Sequence, residues 1–453
     1  MSAQSIPDGA TRIVIVGGGY VGTYTALRLQ RRLKGPLTRR EIVITVINPQ
    51  SYMTYQPFLP EAAAGNLEPR HVVAPLRKIL RRCRVVTGHV TRISHARRCV
   101  SVCPAGADAV PDGLVDVPYD YLVVAVGSVS RTLPIPGLAE CGIGFKTVEE
   151  AIYLRNHVLR QLDIAASVRD PRARQRALTF VFVGGGFAGV EALGELEDMA
   201  RDACRWYPGL DAREMRWILV EATDRILPEV GAEMGRWTVA ALRARGIEVR
   251  LNTLLKSAED HRIVLSDGDA FDAGTLVWTA GVKPHPVVRE SDLPIDDKGR
   301  LKATAELTVE GVPHVYAAGD NAAVPDLTSP GAYTAPNAQH AVRQAKRLAD
   351  NIIADLRGLP RKPYVHKYVG SVASLGLRKG VANVYGIQLT GAPAWFLHRT
   401  YHLSRMPTLN RKIRITGDWT LAAFFQREIV SLGALQAPRK EFELAAGRRQ
   451  LDR

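Results

Sequence analysis

The chain is short of cysteine, of long apolar runs and, near its end, of acidic side chains, and each shortage excludes something. Its five cysteines, Cys83, Cys99, Cys103, Cys141 and Cys204, contain no CxxC pair. So sparse and odd a count supplies no disulfide framework, and a thioredoxin-type dithiol centre is excluded. Cys99 and Cys103 lie in an alternating stretch, RCVSVC, which a strand explains better than a metal site does, and no metal is expected. No window approaches the roughly 20 uninterrupted apolar residues of a membrane-spanning helix. Met1 to Ala10 is polar and lacks a basic leader segment, which predicts a cytosolic chain without a signal peptide. Between Asp355 and Asp418 there is no Asp or Glu at all.

That last gap explains most of the charge. The 453 residues carry a formal net charge of +15. From Arg343 to Arg453 there are 20 Lys/Arg against 7 Asp/Glu, so nearly all of the excess lies in the last quarter. A basic end of this kind points to an anionic partner, membrane phosphates or nucleic acid, with a merely solvated face as the plain alternative. No nucleic-acid motif or base-stacking signature accompanies it, so nucleic acid is not expected.

What is present is a duplicated strand–glycine–helix pattern. The β-branched run Thr11 to Val16 leads into Gly17-Gly18-Gly19-Tyr20-Val21-Gly22, a helical stretch and a second apolar run ending at Asn48. The pattern restarts at Ala177 with Gly184-Gly185-Gly186-Phe187-Ala188-Gly189, a helix to about Ala203 and a strand ending at Glu221. The two loops lie 167 residues apart, far beyond a solenoid period. Matching strand–glycine segments, YLVVAVG ending at Gly127 and TLVWTAG ending at Gly281, close the two copies. The strand VYAAGD then ends in Gly319-Asp320, and a long helix is predicted over Ala335 to Leu356.

A GxGxxG loop between strand and helix binds a dinucleotide for physical reasons. Gly17 and Gly184 make the tight turn, and Gly19 and Gly186 let backbone N–H groups approach a pyrophosphate. Gly22 and Gly189 let helix and strand pack closely. The phosphate sits on a helix N-terminus, where unpaired N–H groups and the dipole favour an anion. Glu221 is placed to bond ribose hydroxyls and to repel a 2′-phosphate, which favours NAD over NADP. Asn48 holds the corresponding place in the first copy with an amide. Asp320 is placed to accept bonds from a ribityl chain or to orient a phosphate-bound water.

Taken together, these motifs resemble the two-dinucleotide-binding flavoprotein superfamily and, within it, the type II NADH:quinone dehydrogenases. The resemblance runs nearly the whole length of the chain. It rests on GGGYVG (17–22), YQPFLPEAAAG (55–65), YLVVAVG, GGGFAGVE (184–191), WTAGV (278–282), AAGD (317–320) and AQHAVRQAKRLADNI (338–352). The stretch from Trp395 to Gln426 is similar to that family's membrane-anchoring end. The resemblance implies that Gly17, Gly19 and Gly22 cradle FAD, with Asp320 on its ribityl-phosphate portion, and that Gly184, Gly186, Gly189 and Glu221 bind NADH. It implies that Glu191 lies near the nicotinamide–flavin contact and helps relay protons. Gln339, and more weakly Gln344, then belong to the quinone pocket. Tyr368-Val369-Gly370-Ser371 stands where many members carry Asp-Lys-Gly-Ser.

The expected architecture is α/β. Two Rossmann-type domains are expected, with the NAD domain (146–282) inserted between FAD-domain segments 10–145 and 283–358, and residues 359–453 forming a basic, membrane-associating extension. Amphipathic helices are expected at 394–406 and 419–435, with Trp395, Phe396, Trp419 and Phe424 at the lipid interface and a homodimer as a further use of these aromatics. The implied activity is NADH oxidation with a membrane quinone as acceptor, performed by a cytoplasmic protein peripheral on the inner face of the cell membrane. Alternatives are a reductase of a small electron-carrier protein and an NADH-sensing flavoprotein with slow turnover. A sulfide:quinone oxidoreductase shares the scaffold but needs a redox cysteine in the later half of the chain, and nothing after Cys204 supplies one.

Overall fold

The computed structural model describes residues 6–106, 113–366, 368–425, 427–433 and 438–445. It divides into two compact units. The first comprises Met1–Tyr55, Val73–Arg131 and Gly281–Tyr368, the second Gln56–Val72, Thr132–Ala280 and Val369–Arg453.

The first unit is built on a seven-stranded sheet. Its spatial order is Val315–Ala317, Tyr121–Val124, Thr11–Val16, Ile42–Asn48, Arg84–Ser94, Cys99–Pro104 and Val115–Pro118. The first five strands are parallel and the last two join antiparallel. Strands buried on both faces read as continuous apolar runs, and Ile13 to Val16 are no more than 1% exposed. The helix Tyr20–Arg32 packs against Ala338–Leu356, where Arg28 makes a bidentate pair with Asp350 at 2.7 Å. The later helix starts at Ala338 rather than Ala335 because the Asn337 side chain accepts from His340 N and caps it.

The second unit repeats the plan with five parallel strands, ordered Gly142–Gly144, Thr275–Trp278, Thr179–Val183, Arg216–Val220 and Glu248–Arg250. A three-stranded antiparallel sheet of Leu255–Ser257, Arg262–Leu265 and Ala270–Asp272 shares its core, with Leu255, Ile263 and Leu265 packed beside Val181, Ile218 and Trp278. This unit also holds a second antiparallel sheet, Gly370–Ser374, Gly380–Val384 and Ile387–Thr390, and the helices Ala392–Arg405 and Leu409–Phe425.

The division departs from the expected boundaries in several places: residues 132–145 belong to the second unit and 359–368 to the first, and three further departures have visible causes. Residues 369–453 do not stand apart, because they are tied into the second unit. Gly194 on the helix Phe187–Ala203 approaches Leu375 so closely that a Cβ would lie 2.8 Å from the backbone of Leu375. Lys379 and Arg427 pair with Asp198. The short segment 56–72 joins the same unit through Glu61–Arg399 and His71–Asp418. Gly281 belongs to the first unit, where its carbonyl accepts from Arg131 N at 3.1 Å.

The expected helix 419–435 is also displaced. The observed helix spans Leu409–Phe425, residues 427–432 are not helical, and Gln426, Ala434 and Leu435 lie outside the described residues, as do Met1–Ser5. Arg427 does not face outward: its guanidinium turns to Asp202 at 3.2 Å and Asp198 at 3.8 Å. Among the described residues no helix is long and apolar enough to cross a membrane. All five cysteines are free, and no group of His, Cys, Asp or Glu among the described residues could hold a metal ion.

Candidate functional site

The first unit gathers its loop residues at the C-terminal ends of adjacent parallel strands, the usual ligand position in an open α/β sheet. Gly17 N donates to Ile47 O, which binds the loop to the neighbouring strand. Gly17 has a φ of +104°, and a Cβ there would lie 2.2 Å from Ala125 O. At Gly22 a Cβ would lie 1.8 Å from Gly17 O, so the helix can approach its strand only with glycine. Gly19 differs, since a Cβ there would meet nothing within 4 Å. It is the N-cap of Tyr20–Arg32, which has no side-chain cap and no acid in its first turn. The helix N-terminus therefore opens at Gly19 onto free space, and a pyrophosphate fits that cradle.

Asn48 is buried and works inward. Its Oδ1 accepts from Gly18 N at 2.7 Å, and its Nδ2 donates to Gln50 O at 2.8 Å. The side chain thus fixes the loop. Asp320 is half-buried and accepts from Ser128 Oγ at 2.5 Å. The turn that carries it is held by Gln344, whose Oε1 accepts from Gly319 N at 2.7 Å and whose Nε2 donates to Thr334 Oγ1 at 3.0 Å. Gly127 N is held by Asn321 Oδ1 at 2.9 Å. Gln339 is the second residue of Ala338–Leu356 and half-buried. Its neighbour His340 begins a chain the sequence did not reveal. His340 Nδ1 lies 3.0 Å from Tyr364 Oη, which lies 3.3 Å from His366 Nδ1. Burial and the charges of His366 and Arg343 push His340 down to about 4, so it is neutral at physiological pH.

The second unit repeats the cradle. Gly184 has a φ of +116°, a Cβ at Gly189 would lie 2.1 Å from Gly184 O, and Gly186 faces open space. The helix Phe187–Ala203 again begins without a side-chain cap or first-turn acid. Thr279 Oγ1 reaches Val183 O and Gly184 O at 3.0 and 3.2 Å, whereas the first loop is braced from its own helix by Thr23 Oγ1, which donates to Gly18 O at 2.8 Å. Glu221 occupies the place of Asn48: its Oε2 accepts from Gly185 N at 2.6 Å, and its Oε1 from Thr223 N and Oγ1, both at 2.8 Å.

Glu191, on that helix, is 6% exposed, and its Oε1 accepts from Ser374 N at 2.9 Å. His398 Nε2 lies 3.1 Å from the same oxygen, off the line of a full hydrogen bond. Glu191 and Gln339 thus sit in different units, while the two glycine loops each form a self-contained cradle. Sequence reasoning missed Ser128, Asn321, Thr279 and His398, because each is recognisable only by what it touches.

The family model for pyridine nucleotide-disulphide oxidoreductases matches residues 11–345. The type II NADH:quinone oxidoreductase of Mycobacterium tuberculosis is 29% identical over 430 residues, covering 92% of this chain and 88% of that protein. The type II NADH:quinone oxidoreductase of Staphylococcus haemolyticus is 30% identical over 397 residues, covering 86% and 93%. Among solved structures, NDH2 of Plasmodium falciparum in complex with NADH superposes with a TM-score of 0.84 at 18% identity, over 93% of this chain and 99% of that one. The chain belongs to the pyridine nucleotide-disulphide oxidoreductase family and, within it, to the type II NADH:quinone oxidoreductases.

Proposed function

We propose that the chain oxidises NADH and passes both electrons to a membrane quinone, with FAD held by the first unit and NADH by the second. The observation that carries this reading is the pair of uncapped glycine cradles in a chain whose relatives over most of its length are named for this reaction. The chemistry that bound FAD supplies is acceptance of a hydride from NADH and release of two electrons to the quinone. The uncapped helix N-terminus that opens at Gly19 binds its pyrophosphate, with Gly17 and Gly18 shaping the turn beneath it, and Asp320, oriented by Ser128, holds the ribityl-phosphate portion. Gly184, Gly186 and Gly189 seat the dinucleotide of NADH. Gly127, Gly281 and Gly319 turn the chain back at the strand ends. Glu191 serves proton relay and Gln339 the quinone pocket.

Stopped-flow mixing tests the reaction directly. NADH is expected to bleach the flavin rapidly, and a water-soluble quinone added next to restore it. Bleaching without reoxidation would remove the quinone and favour a carrier protein or an NADH sensor. The same instrument tests Glu221, whose carboxylate at the end of the second strand would repel a 2′-phosphate. Glu221→Gln keeps an acceptor for Gly185 N and removes the charge. The preference for NADH over NADPH is expected to fall about tenfold, or about 1.4 kcal/mol. An unchanged preference would place discrimination elsewhere.

The exposed surface of the C-terminal helices supports membrane association. Phe396, Leu409, Ile413, Leu421, Phe424 and Phe425 are each between 58% and 79% exposed. On Leu409–Phe425 they occupy the face opposite buried Ile415, beside exposed Arg414. Trp395 and Trp419 are not on this surface: Trp395 Nε1 is buried, and Trp419 Nε1 donates to Glu61 at 2.8 Å. An apolar face within a basic region suits the anionic cytoplasmic leaflet, where basic residues contribute about 1 kcal/mol each. Vesicles containing phosphatidylglycerol should bind the protein at low salt and release it at high salt. The Phe424→Glu/Phe425→Glu pair should weaken binding at least tenfold with an unchanged circular dichroism spectrum. Dimerisation through this face without vesicle binding would assign it to a second copy of the chain.

A further inference from the structure

The second unit buries a set of ionisable side chains that dinucleotide binding does not use. Glu61 and Glu195 are fully buried, and His398 and Arg399 are 1% and 7% exposed. Glu191 and Glu195 lie one turn apart on Phe187–Ala203, Glu61 comes from the 56–72 segment, and His398 and Arg399 come from Ala392–Arg405. Ser374 bridges two of the acids, since its N donates to Glu191 and its Oγ to Glu195 Oε1 at 2.6 Å. Asn66 Nδ2 donates to Glu195 Oε2 at 3.1 Å. Glu61 receives Arg399 Nη2 at 2.7 Å and Trp419 Nε1 at 2.8 Å.

Fully ionised, this cluster would not balance. Glu61 has Arg399 and Glu191 has His398, whereas among the described residues the hydrogen bonds to the Glu195 carboxyl come from the Ser374 hydroxyl and the Asn66 amide. Arg427, the other nearby cation, already faces Asp202 and Asp198, and Asp198 is shared with Lys379 and Arg245. A buried carboxylate without a cation costs several kcal/mol, so the cluster keeps a proton instead. Burial and the charge of Glu61 push Glu195 up to about 7, against the opposing pull of Arg427, Ser374 and Arg399. Burial would lower His398, but its contact with Glu191 and the charges of Glu191, Glu61 and Glu195 outweigh burial and raise it. Neighbouring His402 is pushed well below its ordinary value by burial and by the charges of His398 and Arg405, so it does not compete for the proton.

The stoichiometry of the proposed reaction matches a store of one. In NADH + H⁺ + quinone → NAD⁺ + quinol, the hydride brings two electrons and one proton, and one more proton must come from elsewhere. We propose that Glu195 holds this second proton and, bridged to Glu191 through Ser374, sets when it is released to the quinone half-reaction. The inference rests on the quinone reading above. Glu195 is a positioning and proton-storing residue, which solvent reloads between turnovers.

The test uses the FAD-loaded protein. Infrared difference titration should show a protonated carboxyl band lost near pH 7, absent in Glu195→Gln. In stopped flow, the rate of flavin reoxidation by a water-soluble quinone should fall as pH rises through about 7, because the store empties. In Glu195→Gln the rate should be at least tenfold lower at pH 6 and flat across that range. Ser374→Ala removes a donor that favours the ionised form, so its inflection should move to higher pH; this variant carries the test if Glu195→Gln does not fold. An inflection that survives in Glu195→Gln, or does not move in Ser374→Ala, or a missing carboxyl band, would overturn the proposal. Wild-type flavin that no quinone reoxidises would instead overturn the quinone reading, and the infrared titration would still report whether Glu195 holds a proton.

Discussion

Gly22→Val is expected to yield a protein that binds FAD at least 100-fold more weakly and has no NADH-oxidising activity. A Cβ at this position would lie 1.8 Å from Gly17 O and 3.2 Å from Ile15 Cγ2, and neither the strand end nor the loop has room to yield. The loop must open, and the N–H groups that face the pyrophosphate lose their convergence. Gly19→Ala separates cradle from scaffold. Its Cβ would meet no protein atom within 4 Å, so thermal stability without flavin should change by less than about 1 kcal/mol while FAD affinity still falls. The second unit provides the complementary variant. At Gly189 a Cβ would lie 2.1 Å from Gly184 O and 2.5 Å from Thr279 Oγ1, so Gly189→Val should keep its flavin and lose reduction by NADH. Flavin lost from Gly189→Val and kept in Gly22→Val would reverse the assignment of cofactors to units. FAD affinity by fluorescence quenching and flavin bleaching by NADH are sufficient readouts.

The two cradles were legible because their signal is local. A β-branched run, three spaced glycines and a helix occupy about a dozen residues, and steric limits at Gly17 and Gly22 demand that spacing wherever the motif occurs. The equivalence of Asn48 and Glu221 was legible as position but not as contact. Each accepts from the second glycine of its loop, and only the structure shows that the amide of Asn48 is committed to its own turn. The C-terminal quarter was harder, since its partners are remote. Glu61 and Arg399 are 338 residues apart, and nothing near either side chain names the other. Hydrophobic periodicity suggested a helix across 419–435, but Arg427 turns into the ion pairs of Asp198 and Asp202, and the helix ends at Phe425. Trp395 and Trp419 looked like interfacial aromatics by composition. In the fold the Arg399 guanidinium lies over both rings, 4.0 and 4.8 Å from their centroids, so they insulate an ion pair.

That insulated pair gives the largest expected loss of stability. Arg399→Met should destabilise the protein by about 3–5 kcal/mol, because among the described residues it leaves the fully buried Glu61 carboxylate with the indole N–H of Trp419 as its remaining hydrogen-bond donor. Most of that loss is the penalty of an orphaned charge rather than the net worth of the pair, so removing both charges should recover much of it. Glu61→Gln/Arg399→Met is therefore expected to lie within about 2 kcal/mol of the wild type in denaturant unfolding, provided the slope of the transition is unchanged. Glu61→Gln alone should be intermediate, since Arg399 retains contact with Trp395 and Trp419 and an amide oxygen still accepts one of its hydrogen bonds. If the double variant were as unstable as Arg399→Met, packing of the long arginine stem between the two indoles would account for most of the loss. The pair also bears on Glu195, because the charge of Glu61 raises its carboxyl while Arg399 opposes that rise. Removing both takes away the larger influence and the smaller one together, so the net effect is to lower Glu195. The reoxidation inflection in the double variant should therefore move to lower pH even where stability is restored, and a shift to higher pH would show that the Arg399 charge outweighs that of Glu61.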